Sequence, residues 1–204
     1  EEKKTMKASE TALLLIEFQN DFCMPGGKLN DGVKDAMASS NMLNNSKALV
    51  DAARRKGCLI CHIPLAFKPG YCEIPPEPRG VLKLLADGSC FIKGQWGSEF
   101  CEEMSPAPED IVIEGKRGLC AFSSTNLDWI LRARGINNVA IAGFLTNACV
   151  ESTLRTGYEK SYAMYPVTDC VAATSPEAHR NSIENNFPLV STPIASQQIL
   201  ESLI

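Results

Sequence analysis

Basic charge is not in excess in this 204-residue chain: 20 Lys and Arg stand against 24 Asp and Glu, a formal net charge of -4. Without a basic patch there is nothing to hold a polyanion, so nucleic acid is excluded as a partner. Long hydrophobic runs are also missing. The greasiest stretch, Ala12 to Ile16, has polar flanks and falls far short of the roughly 18 apolar residues of a membrane span, so no membrane partner is expected. Histidine is scarce, with only His62 and His179, too few for a His-rich metal centre. The 9 cysteines are odd in number and lack the tight spacing of a small secreted scaffold. A reducing compartment, the cytoplasm, is therefore expected, although a chain beginning at Glu1 leaves a trimmed leader and leaderless secretion open.

What is present is ordinary for a globular protein: 45% hydrophobic and 22% charged residues. The length suits one domain, residues 1–204, able to bury roughly two-thirds of its unfolded surface without disulfides. Residues 1–10 carry no apolar period and read as a frayed tail. A first strand follows at Thr11 to Glu17, then a Pro-Gly-Gly turn at Pro25 to Gly27. Met42, Leu43, Leu49, Val50 and Ala53 mark a helix over Asn41 to Lys56, stopped by Gly57. Cys58 to Pro64 reads as a strand buried on both faces. Its Cys58 and Cys61, three apart, point to opposite faces and so cannot share a metal or a disulfide.

Residues 65–110 hold Pro69, Pro75, Pro76, Pro78, Pro106 and Pro108 and read as a long irregular excursion with one short helix near Arg79 to Ala86. Excursions of that length are usually functional. Strand and helix then alternate: strands at Ile111 to Glu114, Val139 to Gly143, Tyr162 to Val167 and Leu189 to Ser191, with helices at Thr125 to Arg134, Asn147 to Lys160, Pro176 to Asn186 and from Ala195. Six strands separated by helices predict a three-layer α/β/α fold with a mainly parallel sheet covered on both faces.

Ligands of such sheets bind beyond the carboxyl ends of the strands. Glu17, Lys116 and Cys149 fall there, after the first, third and fourth strands. Cys149 sits in the first turn of a helix, whose partial positive charge favours thiolate over thiol and whose amides suit an oxyanion. Glu17 could take its proton and Lys116 polarise an electrophile. The competing reading is a buried core cysteine. Trp96, flanked by glycines in Lys93 to Phe100, is a candidate substrate wall, as are Phe18, Phe22, Phe122 and Phe144, each equally acceptable as core. Gln19 and Asn20 could orient Glu17 or a substrate, or serve the turn. Asp21 reads as serving the first loop, Asp169 as capping the turn after the fifth strand, and Arg155 and His179 as solvated; His62 lies near enough to a strand end to touch a substrate.

Three blocks carry a resemblance along nearly the whole chain: Leu13-Leu-Leu-Ile-Glu-Phe-Gln-Asn-Asp-Phe22, Lys116-Arg-Gly-Leu-Cys-Ala-Phe122 and Gly143-Phe-Leu-Thr-Asn-Ala-Cys-Val150. Together they resemble the isochorismatase-like cysteine hydrolase superfamily. The resemblance implies sheet order 3-2-1-4-5-6, a Cys-Lys-acid triad of Cys149, Lys116 and Glu17, an oxyanion site at the amides of Leu145 and Cys149, and a non-proline cis peptide between Phe144 and Leu145. It implies a homo-oligomer, dimer or tetramer, with the helices after Thr125 as contact surfaces. The family usually has aspartate where this chain has Glu17. The Asp-x-His pattern of the metal-containing nicotinamidase branch is missing after the second strand, so neither metal nor cofactor is expected.

The activity implied is attack of the Cys149 thiolate on a C–N bond of a small carboxamide, carbamoyl or ureido compound. Two rivals stand beside it. One is vinyl-ether hydrolysis releasing pyruvate, against which the cysteine argues. The other is a binding protein that has lost catalysis through the change at Glu17. A thiol redox sensor would need a resolving cysteine; only Cys120 suggests itself.

Overall fold

Strand β1 (Thr11–Ile16) shows why the sheet is central. In the computed structural model, which describes residues 5–204, every residue of β1 is buried. Its side chains alternate between two cores, as period-two geometry requires. Leu13 and Leu15 enter one, while Ala12, Leu14 and Ile16 enter the other. Two faces thus need covering, and helices supply both layers.

Two short helices follow β1, α1 (Asn20–Cys23) and α2 (Lys34–Ser39), then the long α3 (Met42–Lys56). Helix α3 buries Met42, Ser46, Leu49, Val50 and Ala53 along one stripe and ends at Gly57, whose left-handed φ of 88° glycine, having no Cβ, adopts without strain. Strand β2 (Leu59–Ile63) lies parallel to β1. Cys58 and Cys61 fall in opposite cores, and all nine cysteines are free thiols. The excursion contains one helix of some length, α4 (Gly80–Asp87). Then come β3 (Ile111–Val112), α5 (Leu127–Ala133), β4 (Asn138–Phe144), a π-helical turn at Thr146–Val150 leading into α6 (Glu151–Glu159), β5 (Ala163–Ala172), α7 (Pro176–Asn181) and α8 (Ser196–Ser202).

The sheet is parallel, in the order β3-β2-β1-β4-β5. Among the described residues it has five strands, not the six expected. Leu189 lies in a 3-10 turn, Phe187–Leu189, and the chain reaches the sheet edge only from Thr192, with an isolated parallel bridge between Ile194 and Val167. Thr192 N–H and Ile194 N–H donate to Met164 and Pro166 there, but Pro193 between them has no N–H, which limits a ladder. Strand β5 in turn runs five residues past its expected end, because a register shift between Ile141 and Gly143 absorbs its polar middle. Asp169 sits in that irregular stretch. It caps no turn after the strand; its carboxylate instead accepts from Ser196 N–H and Oγ–H at the start of α8.

The expected tail divides. Residues 1–4 lie outside the described residues. Met6 and Ala8 are buried, and Met6 pairs with Leu203, so this part is held in place and is not frayed. Among the described residues no helix is long and apolar enough to cross a membrane.

Candidate active site

Glu17 is the first residue past β1, and its φ of 59° puts a side-chain-bearing residue in the left-handed region. Such a conformation costs of order 1–3 kcal/mol and is characteristic of functional positions. Its amide donates to Ile63 of the neighbouring strand and its carbonyl accepts from Gln19. Beside it passes Gly143, with φ 122°, where a Cβ would lie 2.0 Å from the Ile16 carbonyl oxygen. Only glycine lets β4 run that close. The next peptide but one, Phe144–Leu145, is cis.

Lys116 joins the three strand ends. Its ammonium, fully buried, donates to Glu17 Oε1 at 2.5 Å and to the Gly118 carbonyl at 2.7 Å, and faces Cys149 Sγ at 3.6 Å. Those are its three donors, all engaged. Burial works against the charge on Lys116, but the Glu17 carboxylate and the Cys149 sulfur outweigh it and hold the ammonium above its ordinary value. The extra methylene of Glu17 relative to aspartate thus does not keep its carboxylate from the lysine.

Cys149 lies in the π-helical turn, in which the Leu145 carbonyl accepts from both Ala148 and Val150. The helix terminus alone favours thiolate, but the groups packed around the sulfur act the other way. Burial pushes the thiol up strongly, the Glu17 carboxylate adds to this, and the Lys116 ammonium opposes it without prevailing. In this arrangement the sulfur rests as a neutral thiol beside a buried ion pair.

Cys149 and Glu17 open onto a cavity of about 30 Å³ that is also lined by Phe22, Leu65, Leu145, Ala148, Arg117 to Leu119, and Val81, Leu82 and Leu85 of α4. Of the expected substrate wall, Phe22 is in this lining, as is Leu145, expected for the oxyanion site. Phe144 is buried behind it, stacked on Phe22 with ring centroids 4.8 Å apart. Phe122 stacks on Tyr162 in the opposite core, and Trp96 lies elsewhere, 49% exposed. Gln19 is fully buried. Its Nε2 donates to the carbonyls of Leu65 and Ser98 and its Oε1 accepts from Leu65 N–H, so its polar atoms are spent on the excursion. Asn20 donates to Trp96 O, and Asp21 accepts from Phe91 N–H, in the same manner.

His62 is buried away from the cavity, with Nε2 3.0 Å from Asp110, which also pairs with Arg54. His179 is half-buried and not solvated: Nδ1 lies 3.0 Å from Thr146 Oγ1, at the start of the turn that carries Cys149. Arg155 does face solvent, paired with Glu151. Cys120 contacts Thr156. Among the described residues no three His, Cys, Asp or Glu side chains are grouped as a metal site.

Sequence reasoning missed the cover supplied by α4 and the position of Arg117. Both left a signal. Val81, Leu82 and Leu85 form an apolar stripe within an otherwise polar excursion, and Arg117 adjoins Lys116 in sequence.

A parallel α/β sheet whose first, third and fourth strand ends bring a carboxylate, a lysine and a cysteine together defines a class, and comparison agrees with it. The isochorismatase domain family matches residues 11–198. This chain belongs to that family, within the isochorismatase-like cysteine hydrolase superfamily. It is similar to the ureidoacrylate amidohydrolase RutB of Stutzerimonas stutzeri, at 33% identity over 94% of this chain and 83% of the relative. The protein of that name in Agrobacterium fabrum is 31% identical over 92% of this chain and 89% of its own. Among solved structures, a cysteine hydrolase from Pseudomonas syringae pv. phaseolicola has a TM-score of 0.84 at 21% identity, covering 97% of this chain and 94% of that one, a likeness of fold alone. N-carbamoylsarcosine amidase from Thermoplasma acidophilum has a TM-score of 0.69 at 25% identity, with 94% and 97% covered.

Proposed function

We propose that this protein hydrolyses a C–N bond of a small carboxamide, carbamoyl or ureido compound through a covalent intermediate on Cys149. The observation that carries the reading is one ammonium, Lys116 Nζ, bridging Glu17 at 2.5 Å and Cys149 Sγ at 3.6 Å, two side chains that line a small cavity. The names of the relatives, an amidohydrolase of ureidoacrylate and an amidase of N-carbamoylsarcosine, point to the same bond type.

In this reading Glu17 takes the thiol proton as sulfur adds to the carbonyl carbon. The developing oxyanion is held by the amides of Leu145 and Cys149. Collapse breaks the C–N bond, and the proton on Glu17 passes to the departing amine. Water then adds to the thioester or thiocarbamate, giving its proton to Glu17, and the acid leaves as sulfur recovers that proton. Because the thiol rests neutral, no charge need be stored between turnovers. A cavity of about 30 Å³ holds about two waters, so its lining must give way to admit a substrate. Phe22 forms its apolar wall, while Gln19 acts by fixing the loops around it. Vinyl-ether hydrolysis remains the rival chemistry, and a cysteine in the site favours acyl transfer over it.

Intact-protein mass spectrometry after incubation with a panel of amides, ureido acids and isochorismate tests the reading. An acyl or carbamoyl adduct on Cys149, with turnover lost in Cys149→Ala, is expected. Pyruvate release from isochorismate that persists in Cys149→Ala would overturn it.

A further inference from the structure

The cavity is apolar except at two charged side chains, Glu17 and Arg117. Glu17 is neutralised by Lys116, so the charge left on the cavity lining is that of Arg117. Arg117 also lines a more open cleft of about 450 Å³ with Lys93, Ser98, Phe100 and Glu114, and so borders both the small cavity and that cleft. It is held but not saturated. Nη1 donates to the Lys116 carbonyl at 2.9 Å, and Nη2 reaches Glu73 Oε1 only at 3.5 Å. Most of its N–H donors are left over, in a fork that matches a carboxylate.

Glu73 is anchored independently, because both its oxygens accept from Lys68 N–H at 3.1 Å. An arriving carboxylate therefore needs to break only the long contact to Glu73, which keeps its other partner. We propose that Arg117 is the specificity-determining residue of this site, selecting substrates that carry a carboxylate near the scissile bond, and that Glu73 is an internal competitor setting how strongly. The inference rests on the reading of Cys149 as the atom that becomes acylated.

Two alkylating reagents that differ in charge test it without any substrate being known. Iodoacetate and iodoacetamide both alkylate a cysteine, and their rate ratio at Cys149, followed by peptide mass spectrometry, is normalised to that of glutathione in the same tube. The normalised ratio should favour iodoacetate in the unmodified protein. It should fall about fivefold in Arg117→Gln, recover in part in Arg117→Lys, and rise in Glu73→Gln. Ratios unchanged by all three substitutions would overturn the proposal, as would a Cys149 that neither reagent reaches. Hydrolysis of neutral and anionic amides is measured alongside. Charge-selective alkylation without any turnover would sink the hydrolase reading and leave Arg117 standing; turnover with an insensitive ratio would do the reverse.

Discussion

If the Glu17 carboxylate is what keeps the Cys149 thiol protonated, then Glu17→Gln should make the cysteine more reactive and the enzyme inactive at once. Both groups lie on Lys116 Nζ, at 2.5 and 3.6 Å. At an effective dielectric of about 20, a unit charge about 5 Å away disfavours the thiolate by roughly 3 kcal/mol. A less basic thiolate is also a weaker nucleophile, so about half of this is realised as rate, a gain of about tenfold to twentyfold at fixed pH. Alkylation of Cys149 by iodoacetamide, measured from pH 7 to 9, reads the effect directly. Turnover should fall at least about a hundredfold, since the group that receives and returns the proton is gone. Glu17→Asp, which keeps the charge, should alkylate near the original rate. A Glu17→Gln protein that remains folded by circular dichroism yet alkylates no faster would refute the reasoning, because the carboxylate would then not be what holds the proton.

The remaining predictions concern the frame. Gly143→Ala places a methyl 2.0 Å from the Ile16 carbonyl at a φ of 122°, and should destabilise by more than about 3 kcal/mol; a soluble variant with an unchanged urea midpoint would contradict it. Gln19→Ala strands the Leu65 and Ser98 carbonyls and the Leu65 amide, and should cost roughly 2–4 kcal/mol in chemical denaturation, with hydrogen exchange rising near both segments. His62 is pushed below its ordinary value, chiefly by burial, so its protonated form favours the unfolded chain. Stability should therefore be intact above the unfolded histidine value of about 6.5 and decline as pH falls through it, with a shallower decline in His62→Gln when urea midpoints are compared at pH 5 and 7.5.

Where the sequence could be read, local pattern was enough. The unbroken apolar run of β1, the stripe of α3 closed by Gly57, and the opposed faces of Cys58 and Cys61 each follow from side-chain period within one segment. The failures lie where a distant partner decides. Leu189 to Ser191 has strand-like residues, but the chain is still in a 3-10 turn at Leu189 and meets the edge of β5 only from Thr192, where Pro193 interrupts the ladder. Glu114 lies beyond β3 because Gly115, at a φ of 96°, turns the chain toward Lys116.

The site divides along the same line. Glu17, Lys116 and Cys149 could be found because strand ends in a parallel sheet share one edge, whatever the loops do. Their ionisation could not, since a helix terminus favours thiolate and only the packed surroundings reveal that burial and Glu17 win. The cavity was illegible for a further reason: it is shaped by residues 65–110, whose course is fixed by contacts from residues 19–22. Gln19 holds Leu65 and Ser98, Asn20 holds Trp96, Asp21 holds Phe91, and Phe22 then faces the cavity itself. The segment that follows Glu17 thus also anchors the excursion. Changes within α4 or at Arg117 leave those anchors untouched, so selectivity can shift there while the carboxylate, ammonium and sulfur stay where the strand ends put them.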